Sequence, residues 1–142
     1  MTSSHPTVVI DTSAVIAILQ GEPSAAMLAR TIAAAGHRLM SSAGAVEASV
    51  VALARRRSAE EVERFIDRAE IEIVPVSAAH VRAAVDGFLR YGKGRHPAGL
   101  NFGDCFSYAL ARVSGHGLLF IGDDFSKTDI AAVPFASGPA GS

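Results

Sequence analysis

The sequence predicts an α/β fold, with a mostly parallel sheet covered by helices on both faces. Short β-branched apolar runs are separated by helix-length segments, the pattern of strand–helix–strand crossovers. The first run, Thr7-Val8-Val9-Ile10, is apolar at successive rather than alternate residues, as a strand buried on both faces requires. Acidic residues follow two of the strand runs, Asp11 after the first and Asp123 after the run 118–121. In parallel sheets the ligand crevice opens at those carboxyl ends.

The elements follow in order. Strand 7–10 leads into a short helix at 13–19, stopped near Gly21. Pro23 or Ser24 opens a second helix to about Ala35, with Gly36 behind it. A brief strand is expected at 38–40 and a long helix at 43–56. Ser58-Ala59-Glu60-Glu61 is a capping box for a helix to about Ala69. Ile71-Glu72-Ile73-Val74 is a third strand, ended by Pro75, and Ser77 caps a helix through Tyr91. Residues 92–99, rich in glycine, form a sharp loop. A helix over 101–114 closes at Gly115, a fourth strand spans 118–121, and a fifth is expected at 133–135. The chain reads as one domain, 1–136, with a disordered tail at 137–142.

Composition narrows the chemistry. The chain has 142 residues, of which 49% are hydrophobic, enough for a sizeable core. No apolar run approaches a membrane span, and Asp11 interrupts the first one too early for a signal peptide, so a cytoplasmic protein without membrane contact is expected. Cys105 is the single cysteine, which excludes an internal disulfide and a cysteine-rich zinc site. His5, His37, His80, His96 and His116 show no paired ligand spacing, which leaves carboxylates as metal candidates. A net charge of −1 excludes a generally basic nucleic-acid coat; any attraction to nucleic acid must come from a local basic patch and a bound cation.

The acids carry the functional signal. Asp11 either caps the following helix or faces a ligand, and Ser13 is an alternative cap. Asp104 lies three residues after Asn101, where it also fits a capping pattern. Glu47 has Val46, Val50 and Val51 as helical neighbours, which sets it in or beside an apolar stripe, where an unpaired carboxylate is costly. Asp123 and Asp124 follow Gly122 in a turn; Asp123, nearer the strand, is the first choice for a fourth acid and Asp124 the alternative. Asp129 reads as a local turn or cap residue. Oxygen-rich sites of this kind suit Mg²⁺ or Mn²⁺, commonly for phosphate chemistry.

This order of acids resembles the PIN-domain ribonucleases, in particular the VapC-like toxins of type II toxin–antitoxin modules. The resemblance is carried by Val9-Ile10-Asp11-Thr12-Ser13-Ala14, by Ser42-Ala43-Gly44-Ala45-Val46-Glu47, by Asn101-Phe102-Gly103-Asp104-Cys105-Phe106-Ser107-Tyr108-Ala109-Leu110-Ala111, and by residues 119–130. Residues 91–100 are similar to one branch of the group. The resemblance implies a PIN-like three-layer α/β/α fold and a metal site of Asp11, Glu47, Asp104 and Asp123 (or Asp124), supported by the Ser13 hydroxyl. It implies Mg²⁺-dependent (or Mn²⁺-dependent) endonucleolytic cleavage of RNA, such as tRNA or rRNA, leaving a 5′-phosphate and a 3′-hydroxyl. A homodimer and a small VapB-like antitoxin partner are implied as well.

Lys93, Arg95 and His96 stand in the loop before Asp104 as candidate RNA contacts, against a bland reading as a solvated loop. Val15, Ile16, Leu19, Met27, Leu28 and Ile32 offer apolar surface to an antitoxin, though core packing is the simpler account. Arg55-Arg56-Arg57 finishes a helix, and Cys105 is a core residue. Two other classes compete. A haloacid-dehalogenase-like phosphatase is suggested by Gly122-Asp123-Asp124 and Asp129, but it needs an acid where Ser13 stands. The other is a catalytically silent interaction module on the same fold.

Overall fold

The computed structural model describes residues 5–135, so the expected tail at 137–142 lies outside the described residues. In chain order the elements are β1 (Thr7–Ile10), α1 (Thr12–Leu19), α2 (Ala25–Ala34), β2 (His37–Ser41), α3 (Ser42–Ala54), α4 (Ala59–Arg68), β3 (Ile71–Val74), α5 (Ala78–Tyr91), α6 (Phe102–Ser114) and β4 (Gly117–Leu119). A short 3-10 turn, Phe125–Lys127, follows. Among the described residues no helix is long and apolar enough to cross a membrane.

The sheet order is β3-β2-β1-β4, and every neighbouring pair is parallel. The chain builds outward from β1 to β3, then returns to the opposite edge of β1 for β4. That reversal makes the carboxyl ends of β1 and β4 a topological switch point, where diverging connections leave a crevice.

Successive side chains of β1 enter two different cores. Val8 and Ile10 pack with Val15, Leu28, Met40, Ala48 and Val62, beneath α1 to α4. Val9 packs with Ala84, Leu100, Tyr108, Leu110 and Leu118, beneath α5 and α6. A strand buried on both faces is what its unbroken apolar run demands, and it makes the molecule a three-layer α/β/α sandwich.

Helix ends follow local chemistry. Ser58 with Glu61, Ser77 with His80 and Asn101 with Asp104 each form a reciprocal capping box. Gly115 closes α6 in the left-handed region, at φ 76°. A Cβ on Gly87 would collide with the Tyr108 ring, so this glycine lets α5 and α6 approach closely.

Three expectations need correction. β4 ends at Leu119 rather than Ile121, because the Ile121 N–H bonds the Ser13 hydroxyl (3.0 Å) instead of a strand partner. The fifth strand at 133–135 is reduced to a single bridge between Leu118 and Ala132. On α3 the small residues Gly44, Ala48 and Ala52 face inward, while Val46 and Val50 are 64% and 58% exposed. The apolar stripe expected around Glu47 therefore points outward, since only small side chains fit where α3 lies close against α1 and the sheet. Of the residues considered as partner surface on the first helices, Val15, Ile16, Leu28 and Ile32 are buried core.

Candidate active site

The switch point carries the first acid. Asp11 is buried, 3% exposed, and its N–H donates to the Leu119 carbonyl (3.0 Å), which ties the end of β1 to the end of β4. Its Oδ2 accepts from the Ser13 N–H (3.0 Å), so Asp11 does cap α1. Its Oδ1 accepts from the Ser107 hydroxyl (2.5 Å), which arrives from α6. Each carboxylate oxygen has two acceptor positions, so neither bond exhausts Asp11 as a ligand. Ser13 supports the site in another way, by holding Ile121 through its hydroxyl. The phosphatase reading requires an acid at that position, and a partly buried hydroxyl tied to the backbone occupies it instead.

Glu47 reaches the crevice from α3. The Thr12 hydroxyl donates to the Gly44 carbonyl (3.0 Å) and so docks the first turn of α3 against α1. Glu47, nearly one turn further on, lies against Gly103 of α6; a Cβ there would collide with its carboxylate. Burial raises the Glu47 pKa, nearby Thr12 offsets part of that, and the Asp11 charge raises it further.

Asp104 enters from the first turn of α6. Its Oδ2 accepts from the Asn101 N–H (3.0 Å), while Asn101 Oδ1 accepts from the Asp104 N–H (2.8 Å). The capping reading is therefore true, and it leaves Oδ1 unused by that box. Burial pushes the Asp104 carboxyl from 3.8 to about 6, against the lowering bond from Asn101, with Asp11, Asp124 and Glu47 each adding repulsion.

The two candidates for a fourth acid, Asp123 and Asp124, are both exposed on the loop after β4. Asp124 is the one whose charge acts more strongly on Asp104, and it stands at the start of the 3-10 turn anchored by buried Phe125. The Asp123 carbonyl accepts from the Ser126 hydroxyl (2.7 Å), and its side chain makes no such contact.

Asp11, Glu47 and Asp104 line one cleft of about 260 Å³, together with Thr12, Ser13, Glu22, Arg55 and Ile121. Among the described residues no three His, Cys, Asp or Glu side chains are gathered tightly enough to hold an ion as they stand. The donor set nevertheless fits a hard divalent cation. It is all oxygen, and burial together with the Asp11 charge raises the pKa of both Glu47 and Asp104, a cost that a bound cation relieves.

Lys93 and Arg95 are exposed on the 92–99 loop. His96 is half-buried, edge-on to Tyr91 with ring centroids 5.0 Å apart, and its Nδ1 accepts from the Ala98 N–H (3.0 Å). It shapes the loop, which leaves the two cations as the members facing solvent. Cys105 is buried, as expected, with its thiol pushed up to about 11 by burial and by Asp104.

The sequence pattern gives no site role to Thr12, Ser107 or Glu22, and reads Arg55 only as finishing a helix. Ser107 was accessible to it, since it stands one helical turn after Asp104 and so shares its face. Glu22 and Arg55 join the cleft only through tertiary contact.

Comparison with known proteins bears on the family and the fold. The family described as PIN domain matches residues 8–131. A ribonuclease VapC of Mycolicibacterium smegmatis is 49% identical over 127 residues, covering 88% of this chain and 98% of the relative. Ribonuclease VapC30 of Mycobacterium tuberculosis is 47% identical, covering 88% and 97%. Among solved structures, the Mycobacterium tuberculosis toxin VapC20, described as cleaving the sarcin–ricin loop, superposes with a TM-score of 0.72 at 19% identity, covering 89% of this chain and 98% of that one.

Proposed function

The chain belongs to the PIN-domain family, in its VapC ribonuclease group, and we propose that it is an endoribonuclease toxin working through a divalent cation held by Asp11, Glu47 and Asp104. The observation that supports the site assignment is the convergence of these acids in one cleft at the sheet's switch point, where the Asp11 charge acts on both Glu47 and Asp104. Asp124 is the fourth acid on this reading, with Asp123 as the alternative. Mg²⁺ is the expected ion and Mn²⁺ a substitute, since both take oxygen donors.

A cation there supplies Lewis-acid chemistry, activating water and offsetting charge on the phosphodiester oxygens. The protein's part is orientation. Ser13 and Ser107 fix both oxygens of Asp11, Asn101 fixes one oxygen of Asp104, and Gly103 gives Glu47 room beside it. Fixing these oxygens in advance leaves the remaining approach to Glu47 and the loop acid, and pre-orientation of this kind is where such sites gain rate. Lys93 and Arg95 are candidate contacts to the RNA backbone.

Two apolar surfaces suit two partners. Between α3 and α4 a groove of about 560 Å³ is lined by Val46, Val50, Ile66 and Ile73 and rimmed by Glu60, Glu63 and Asp67. An acid-rimmed apolar groove suits an amphipathic segment with basic residues, and we assign it to the antitoxin. Between α5 and α6 lies a face with Val81, Val85, Leu89 and Phe102, which are 52%, 55%, 54% and 79% exposed. A two-fold dimer sets one patch against itself, so an acid-rimmed groove would repel its own copy. The α5–α6 face avoids that penalty and is assigned to the homodimer.

The test is cleavage of a tRNA and rRNA pool by purified protein, in Mg²⁺ or EDTA, beside Asp11→Asn and Glu47→Gln. Cutting that needs metal and disappears in both variants is the expected result. No cutting by folded, antitoxin-free, metal-supplied protein would sink the reading.

A further inference from the structure

We propose that Arg55 is a substrate contact, its guanidinium gripping a backbone phosphate of the RNA in the acidic cleft. The inference rests on the nuclease reading above and names a residue that reading does not require.

Arg55, Arg56 and Arg57 are adjacent in sequence, and the end of α3 separates them. Arg55 is the C-cap of α3, with its N–H bonded to the Val51 and Ala52 carbonyls. Arg56 takes a left-handed φ of 62°, so the chain turns sharply there. Arg57 is thrown toward α4, where its Nη1 lies 2.8 Å from Glu61 Oε1. Of the three, Arg55 alone lines the cleft with Asp11, Glu22, Glu47 and Asp104.

The Arg55 guanidinium has no hydrogen bond and no ion pair among the described residues, although acids surround the same cleft. A role in relieving the helix dipole would be served equally well by a side chain turned out to solvent. An RNA strand approaching this cleft meets carboxylate repulsion and needs a cation that the carboxylates have not already consumed. A guanidinium offers two parallel N–H donors to a phosphate, at fixed charge and in fixed geometry.

The test compares wild type, Arg55→Ala, Arg55→Lys and Arg57→Ala, with thermal melting to verify folding. Binding of fluorescein-labelled total tRNA is followed across a KCl series in Ca²⁺, a hard oxygen-seeking ion of the same charge. Single-turnover cleavage of the same RNA is followed in Mg²⁺ and Mn²⁺. Arg55→Ala is expected to lower the log–log salt slope by about one and the affinity about tenfold, as loss of one phosphate contact does. Cleavage is expected to slow at least as much. Arg55→Lys keeps the slope and recovers part of the rate, and Arg57→Ala matches wild type. If Arg55→Ala shows the slope and rate of Arg57→Ala, the assignment is overturned while the nuclease reading stands. If the wild type cuts nothing, the nuclease reading fails, and the salt slope alone decides for or against Arg55.

Discussion

The Ser107 hydroxyl donates to Asp11 Oδ1 at 2.5 Å, joining residues 96 apart in the chain, both only 3% exposed. This bond orients the most buried acid of the site from a helix that itself carries Asp104. Ser107→Ala is expected to lower metal affinity or cleavage by about 10- to 100-fold, the usual effect of removing a group that orients a ligand. Stability should fall by only about 1 kcal/mol. Single-turnover rates beside melting curves check both; an unchanged rate would remove Ser107 from the site.

Gly103 makes an opposite kind of test. Replacing a helical glycine with alanine ordinarily stabilises by roughly 1 kcal/mol. At this position the new methyl collides with the Glu47 carboxylate, so Gly103→Ala is expected to displace Glu47. A folded variant with cleavage reduced about 100-fold or more is predicted, on the scale of a misplaced catalytic group. Full activity would mean that Glu47 is not held where the chemistry needs it.

The two acids after β4 are separable by direct comparison. Asp124 acts on Asp104 more strongly than Asp123 does. Asp124→Asn should therefore weaken Mn²⁺ binding, measured by titration calorimetry, about tenfold more than Asp123→Asn, a difference near 1.4 kcal/mol. The reverse order would return the fourth-acid role to Asp123.

The raised pKa of Asp104 has a definite sign. Between 3.8 and about 6 the folded protein keeps a proton that the unfolded chain releases. The group's contribution to stability is therefore greatest below that window and is lost as pH rises through it. In EDTA, the melting temperature of wild type should fall relative to Asp104→Asn across this interval, then run parallel above it. Mn²⁺ affinity should move the other way, strengthening as pH rises, because the ion competes with the proton. A pH-independent difference between the two proteins would contradict the assignment.

The α3–α4 groove offers a test of the partner. Val50 is 58% exposed and points away from the cores, so Val50→Glu should leave folding and RNA cleavage near wild-type levels. A carboxylate on the apolar floor of the groove removes an anchor and must be desolvated when the segment docks, which outweighs its attraction to basic residues at the rim, so antitoxin affinity should fall about tenfold or more. Co-purification with the antitoxin at wild-type affinity would place that partner elsewhere.

Much of the architecture was legible because its causes are local. The unbroken apolar run of β1 required burial on both faces, Ser58 and Ser77 announced their helices, and Gly115 its terminus. The identities of Asp11, Glu47 and Asp104 as site candidates also came from local pattern, and the structure gathers those three in one cleft. Local pattern misjudged α3, where periodicity marked Val46 and Val50 as apolar without saying which face meets the sheet. Close packing admits only Gly44, Ala48 and Ala52 there.

What the sequence determined by itself was the order of strands and helices and the acids standing at their ends, since hydrophobic period and capping act within a few residues. Only the tertiary structure decided that Ser107 holds Asp11, that Ser13 ends β4 early, that Asp124 acts on Asp104 more strongly than Asp123, and that Arg55 parts from Arg57 to line the cleft. Those outcomes depend on distances between segments far apart in the chain, which the folding of the sheet sets and no local preference encodes.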